Sequence, residues 1–149
     1  MAGTLSGARA GRVGLRGVSV EMSGPFFFIA TNRLREGKLL AESARARDLS
    51  SFIEANEPQL LAFNEYANEE GTEVGVVQMH PDAPSMELHM EVVAERAARA
   101  YAETLDATTS IQVYGEPSDA VLEMLSRQAG AGVPMMVKRH HIGGFSRIR

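Results

Sequence analysis

Two histidines, His80 and His89, flank a short loop and are the residues of this sequence best suited to acid–base chemistry. The loop ends in a side chain able to cap a helix, either Asp82 or Ser85. In both cases His89 falls in the first two turns of that helix, on or beside the apolar stripe Met86–Met90–Val93. A neutral imidazole there can accept a proton from a phenol, because its reference pKa of about 6.5 lies near neutral pH. His89 is therefore the candidate catalytic base, and the alternative is a histidine at the edge of the core that bonds the backbone.

Four polar residues form the predicted substrate-binding set. Asn32, Asn64 and Tyr66 lie on predicted strands or at their ends, and His80 ends another. An amide or phenol that faces an apolar cavity can orient a substrate hydroxyl or stabilise an oxyanion. Simpler roles stay open, since Asn32 also suits the end of a strand and Tyr66 also suits a subunit interface.

Metal and paired-carboxylate chemistry are disfavoured. A catalytic metal site needs at least three convergent ligands, and the spacing from His80 to His89 is not a recognised ligand spacing. Asp82 and Glu87 are explained as a cap and a first-turn charge. Glu54 and Glu57 lie three residues apart near a helix end, which is typical of a solvated face. We predict no metal.

The C-terminal region offers no further site. His140 and His141 are predicted on a strand, Val133 to Ile142, where adjacent side chains point to opposite faces and cannot chelate together. Gly143-Gly144 is not followed by a helix, which a phosphate cradle requires.

Composition and charge limit the classes of protein. The 149 residues are 44% hydrophobic and 23% charged and contain neither Cys nor Trp, as expected of one globular domain without disulfides. Residues 36–123 hold 18 acidic and 5 basic side chains, which would repel a phosphate backbone. No apolar run approaches the roughly 18 to 20 residues of a spanning helix. We predict no nucleic-acid partner, no membrane segment and a cytoplasmic location.

The elements that must position these residues follow one another in a regular order. Hydrophobic periodicity predicts β-α-β-β-α-β, then a helix and a strand. Strands begin at Phe26, Leu60, Thr72 and Thr108, and the first helix must stop before Pro58. This order predicts an α+β, ferredoxin-like antiparallel sheet with two helices on one face and a C-terminal helix and strand added.

Both faces of the predicted sheet carry large side chains. Along the strand from Leu60 to Asn68, Leu61 and Phe63 alternate with Asn64 and Tyr66. A sheet with one solvated face would show plain polar residues outward. We therefore expect the face without helices to pack against a second copy, giving a homodimer.

Residues 1–23 differ from the rest. They are rich in Gly, Ala and Arg and have no apolar period, so we expect a disordered tail or a start upstream of the native one. Residues 24–149 form the predicted single domain.

Three features resemble the antibiotic biosynthesis monooxygenase superfamily: the turn Arg35-Glu36-Gly37-Lys38 after the first strand, Glu57-Pro58 before the second, and the strand-loop-helix segment that reaches His89. The resemblance spans about Pro25 to Tyr114 and rests mainly on the order of elements. It implies a dimeric α/β barrel with a cavity between sheet and helices in each protomer. His89-Met90 matches a position where the superfamily has a histidine facing that cavity.

The resemblance implies a monooxygenase without metal or flavin that acts on a small aromatic, quinol or enolisable polyketide-like substrate. Haem-degrading members use a Trp, which is absent here and disfavours that branch. Resemblance to a superfamily predicts the fold better than the reaction. The alternative is therefore a non-catalytic dimeric ligand-binding or structural protein of the same fold.

Overall fold

The computed structural model describes residues 12–15, 18–21 and 25–147. Within these ranges there are three helices, a five-stranded sheet and a separate two-stranded hairpin. The hairpin is formed by β1 (Arg12–Leu15) and β2 (Val18–Glu21). The remaining elements are β3 (Phe26–Leu34), α1 (Leu39–Asn56), β4 (Ala62–Ala67), β5 (Glu73–His80), α2 (Ala83–Glu103), β6 (Leu105–Tyr114), α3 (Asp119–Ala129) and β7 (Met135–Lys138).

The large sheet has the strand order β4-β5-β3-β6-β7. The pairs β4–β5, β5–β3 and β3–β6 are antiparallel, whereas β7 joins β6 in parallel. Together with α1 and α2, the first four of these strands form the β-α-β-β-α-β unit that the sequence predicts. The α+β, ferredoxin-like fold with an added helix and strand is thus confirmed, and the sheet is mixed because of β7.

The two faces of the sheet differ in burial. On β3, every second residue from Phe26 to Leu34 is buried, whereas Phe27 and Ile29 on the other face are half-buried. The buried face packs against helix residues in one apolar cluster: Phe26, Phe28, Ala30, Met86, Ile111, Val113, Val121 and Leu125. We call this the inner face and the opposite one the outer face.

A proline and a capping side chain set the two helix boundaries that lie near the inner face. Helix α1 ends at Asn56, because the proline at position 58 disfavours helical geometry at Glu57. Helix α2 begins after Asp82, whose side chain accepts a 3.0 Å hydrogen bond from the Ser85 backbone N–H. Asp82, not Ser85, is therefore the cap.

Two predictions near the chain ends need comment. The last strand is shorter than predicted, so His140 and His141 follow β7 and the argument from strand alternation does not apply to them. The hairpin β1–β2 lies within the tail predicted for residues 1–23, while residues 1–11, 16–17 and 22–24 lie outside the described ranges. The domain boundary at residue 24 stays a prediction.

Of the helices in the described ranges, none combines the length and the apolar character needed to cross a membrane.

Candidate functional site

A cavity of about 400 Å³ lies between the inner face of the sheet and the helices. Its walls are mostly apolar, with Phe28, Phe63, Met86 and Val93 among them. The polar residues that line it are Asn32, Arg45, Glu65, Gln78, His89, Tyr101, Arg127 and Gln128. A pocket with apolar walls and a few polar groups is the usual form of a small-molecule site.

His89 is held at this cavity by a buried carboxylate. Its Nδ1 lies 3.0 Å from both side-chain oxygens of Glu57, and the two residues are only 3% and 2% exposed. A carboxylate can only accept, so Nδ1 carries the hydrogen and Nε2 keeps its lone pair. Within the described residues, the hydrogen bonds of the His89 ring are both made by Nδ1, so Nε2 is available to a ligand. The arrangement is that of an oriented imidazole base.

The protonation state of His89 follows from its surroundings. Burial lowers the pKa of His89, and Glu57 opposes this shift without reversing it. The imidazole is therefore neutral at pH 7 and able to take a proton.

His80 does not line the cavity but supports its wall. It is fully buried, its Nδ1 lies 2.8 Å from Ser85 Oγ, and its Nε2 lies 2.8 Å from Gln78 Oε1. Since Oε1 of Gln78 is an acceptor, Nε2 donates and Nδ1 accepts from the serine hydroxyl. The bond turns the amide nitrogen of Gln78 away from His80. The structure thus places Gln78, not His80, at the cavity surface.

Burial and the neighbouring His89 lower the pKa of His80 to about 3. The two rings are 5.7 Å apart, and His80 also stacks on Phe26 at 5.2 Å. This neutral histidine is a packed structural element.

Asn32 lines the cavity where the prediction expected a substrate-binding amide. Its Oδ1 lies 2.8 Å from Tyr101 Oη and 2.7 Å from Thr108 Oγ1, which are 2.6 Å from each other, so one hydroxyl donates to the other and the second donates to Oδ1. The two hydroxyls fix the amide, so Nδ2 is left as its free donor among the described residues. Gln128 Nε2 donates to the same tyrosine oxygen at 3.2 Å.

Asn64 and Tyr66 are not brought to the cavity. Both lie on the outer face of β4 and are exposed, Tyr66 by 64%. Side chains alternate along a strand, and in β4 it is Phe63 and Glu65 that line the cavity. The expectation that Asn64 and Tyr66 face an apolar cavity is therefore not met.

Sequence reasoning missed three of the residues that shape the site. Glu57 was assigned to a solvated face, but it lies one residue past the end of α1 and is buried against α2. Tyr101 lies on α2 beyond the Met86–Met90–Val93 stripe that the sequence analysis considered. Glu65 carried no signal, because an acidic residue in an alternating strand is normally on the solvated side.

Among the described residues, no group of three His, Asp or Glu side chains is arranged to hold a metal ion. The prediction that the site works without a metal stays a prediction.

Comparison with solved structures identifies the fold. MupZ from Pseudomonas fluorescens superposes with a TM-score of 0.60 at 20% identity, covering 84% of this chain and 96% of its own. A protein named antibiotic biosynthesis monooxygenase gives a TM-score of 0.53 at 14% identity, covering 62% of this chain and 99% of its own. A Caulobacter crescentus protein whose name proposes the same activity superposes with a TM-score of 0.54 at 18% identity. The match covers 62% of this chain and 89% of that protein.

The chain thus has the fold of the antibiotic biosynthesis monooxygenases, and the resemblance found in the sequence is confirmed at that level. No model of a protein family matches the chain. No curated protein matches its sequence.

The buried neutral His80 predicts a pH dependence of stability. The unfolded chain binds a proton on His80 below about pH 6.5, whereas the folded protein does so only near pH 3, so the free energy of unfolding falls as pH drops through this window. The slope from this group is at most about 1.4 kcal/mol per pH unit. His80→Gln removes this pH dependence. Between pH 6 and pH 4, the free energy of unfolding of the variant should therefore fall by roughly 2 kcal/mol less than that of the wild type.

Urea denaturation at several pH values measures this difference. The matched control is His141→Gln, which replaces an exposed histidine in the same way. Equal slopes for wild type and His80→Gln would show that His80 is not buried in its neutral form.

Proposed function

We propose that this protein is a cofactor-independent monooxygenase that acts on a small aromatic, quinol or enolisable substrate. The observation that carries the proposal is the buried His89–Glu57 pair at the wall of an apolar cavity. The likeness to structures named as antibiotic biosynthesis monooxygenases supports the same class, although it extends only to the fold.

The first step is removal of a proton by His89. Nε2 takes the proton of a phenol or enol, and the Glu57 carboxylate stabilises the imidazolium that forms. The substrate oxygen becomes negatively charged inside a cavity with few polar groups. The amide nitrogens of Gln78 and Asn32 are the donors available to that anion.

The second step is oxidation by O2. The anion gives one electron to O2, and the resulting substrate radical and superoxide combine to a peroxide at the activated carbon. At a CH2 group, the peroxide takes back the proton held by His89, and loss of water from the resulting hydroperoxide leaves a C=O group. Overall, CH2 and O2 yield C=O and H2O, so atoms and electrons balance without an added reductant.

The protein supplies position, deprotonation and exclusion of water. The substrate is enclosed by apolar side chains from β3, α1 and α2, among them Phe28, Leu49 and Met90. A low-dielectric pocket strengthens the interaction of the anion with its donors and limits side reactions of the radical.

The rival function is ligand binding without catalysis. The apolar walls of the cavity favour it, since they suffice to bind a flat aromatic molecule. The two functions differ in one observable, because only the enzyme consumes oxygen.

The main prediction concerns His89. His89→Ala should abolish oxygen uptake with a panel of hydroquinones and anthrones, because the cavity loses its base, while the fold is retained. An oxygen electrode measures the uptake, and His141→Ala, which removes a histidine outside the cavity, is the matched control.

Three other results would contradict the proposal. Turnover retained by His89→Ala would remove His89 from the mechanism. Binding of the panel by the wild type without oxygen uptake would favour the ligand-binding protein. A Soret band on adding haem would favour the haem-degrading branch.

We further propose that the active form is a homodimer joined through the outer face. Phe27 pairs with Met79 and Ile29 with Val77 across β3 and β5, so four large apolar side chains form one patch. All four are only half-buried in the single chain. Apolar patches of this kind mark interaction surfaces, and a second copy of the same face is the simplest partner.

A charge at the centre of this patch should separate the subunits. We expect sedimentation equilibrium to give twice 16.1 kDa for the wild type and 16.1 kDa for Val77→Lys. Leu40→Lys, at an exposed position on α1, should leave the dimer intact. A wild-type protein that sediments at 16.1 kDa at micromolar concentration would overturn the dimer.

A further inference from the structure

Glu65 is a buried carboxyl group to which no group of the described residues donates a hydrogen bond. It projects from the inner face of β4 into the cavity, and its side chain is 6% exposed. Neither Oε1 nor Oε2 accepts a hydrogen bond from another residue in the described part of the chain. Buried polar groups are nearly always hydrogen-bonded, so an exception of this kind needs an explanation.

The nearest charges come from α1 and are already engaged with each other. Arg45 Nε donates to Glu42 at 2.7 Å, its Nη2 donates to the second oxygen of Glu42, and Thr104 Oγ1 adds a 2.5 Å bond. Arg45 Nη2 is 3.9 Å from Glu65 Oε2, beyond hydrogen-bond reach. Two carboxyl groups therefore face one guanidinium.

Such a cluster retains a proton. Burial and the neighbouring Glu42 raise the pKa of Glu65 to about 8, and Arg45 only partly opposes this. Burial would also raise the pKa of Glu42, but its bonds to Arg45, Glu65 and Thr104 lower it. Glu65 is thus neutral at pH 7 and shares its proton with Glu42. The other titratable groups at this cavity are His89 and Tyr101 of α2 and Arg127 of α3, which is paired with Glu123.

A shared proton leaves one oxygen of Glu65 free to accept a hydrogen bond from the cavity. We infer that Glu65 is a second anchor for the ligand and binds a hydroxyl group other than the one that His89 deprotonates. This inference rests on the proposed function and narrows its substrate class to neutral aromatic or enolic molecules with at least two hydroxyl groups.

The position of Glu65 relative to the base agrees with this role. Phe63, two residues earlier on the same face of β4, lies with its ring 5.9 Å from the ring of His89. Two residues advance a strand by about 7 Å, so Glu65 follows Phe63 along the wall of the cavity that His89 also lines.

Two matched ligands test the anchor under anaerobic conditions. We expect wild type to bind 1,4-dihydroxynaphthalene about tenfold more tightly than 4-methoxy-1-naphthol, because one hydrogen bond is lost with the second hydroxyl. Glu65→Leu should reduce this ratio to about one. Glu65→Gln, whose amide oxygen still accepts, should keep part of it, and Glu73→Gln, at an exposed position, should keep all of it.

Infrared spectroscopy tests the proton without any ligand. At pH 7 the wild type should show the C=O stretch of a protonated carboxylic acid that Glu65→Gln lacks. Absence of this band overturns the neutral anchor.

The remaining outcomes separate the anchor from the proposed function. Equal binding of both ligands by the wild type, with oxygen uptake that still depends on His89, overturns the anchor alone. Failure of the wild type to bind either ligand overturns the substrate class and the anchor together.

Discussion

The site depends on the contact between the His89 imidazole and the Glu57 carboxylate. An isolated charge of either kind would be costly at this depth, whereas a hydrogen bond between neutral imidazole and carboxylate satisfies both side chains. The two partners are 32 residues apart and meet only because α1 ends before Pro58 and α2 begins after Asp82. Two short boundary signals therefore fix the position of this imidazole.

The inner face of the sheet arranges the rest of the site around that pair. Gln78 and Asn32 lie on neighbouring strands, and each amide is oriented by hydroxyl or imidazole groups behind it. Glu65 lies on β4, an edge strand of the sheet, and belongs to the same face. It is next to Glu42 and Arg45 of α1. Apolar side chains separate these groups. Each hydrogen bond therefore forms in an environment of low dielectric constant, where it is electrostatically stronger than in water.

The sequence predicted the order of elements well, because alternation and helical spacing are local patterns. It also placed His89 in the first turns of α2 and offered Asn32 as an amide that faces a cavity, which is where Asn32 lies. It failed for Asn64 and Tyr66, since β4 has large side chains on both faces and alternation alone does not say which set turns inward. It failed for Glu57 and Glu65 because a buried acid is identified by distant partners, and neither Arg45 nor His89 is near them in the chain.

The protonation state of His89 in the free protein is the most direct test of this account. Nitrogen-15 NMR of the imidazole against pH reports both the tautomer and the pKa. The account predicts a neutral ring at pH 7 with the hydrogen on Nδ1 and a pKa below the usual 6.5, which rises toward 6.5 if burial is relieved. An imidazolium at pH 7, or a neutral ring with its hydrogen on Nε2, would contradict it.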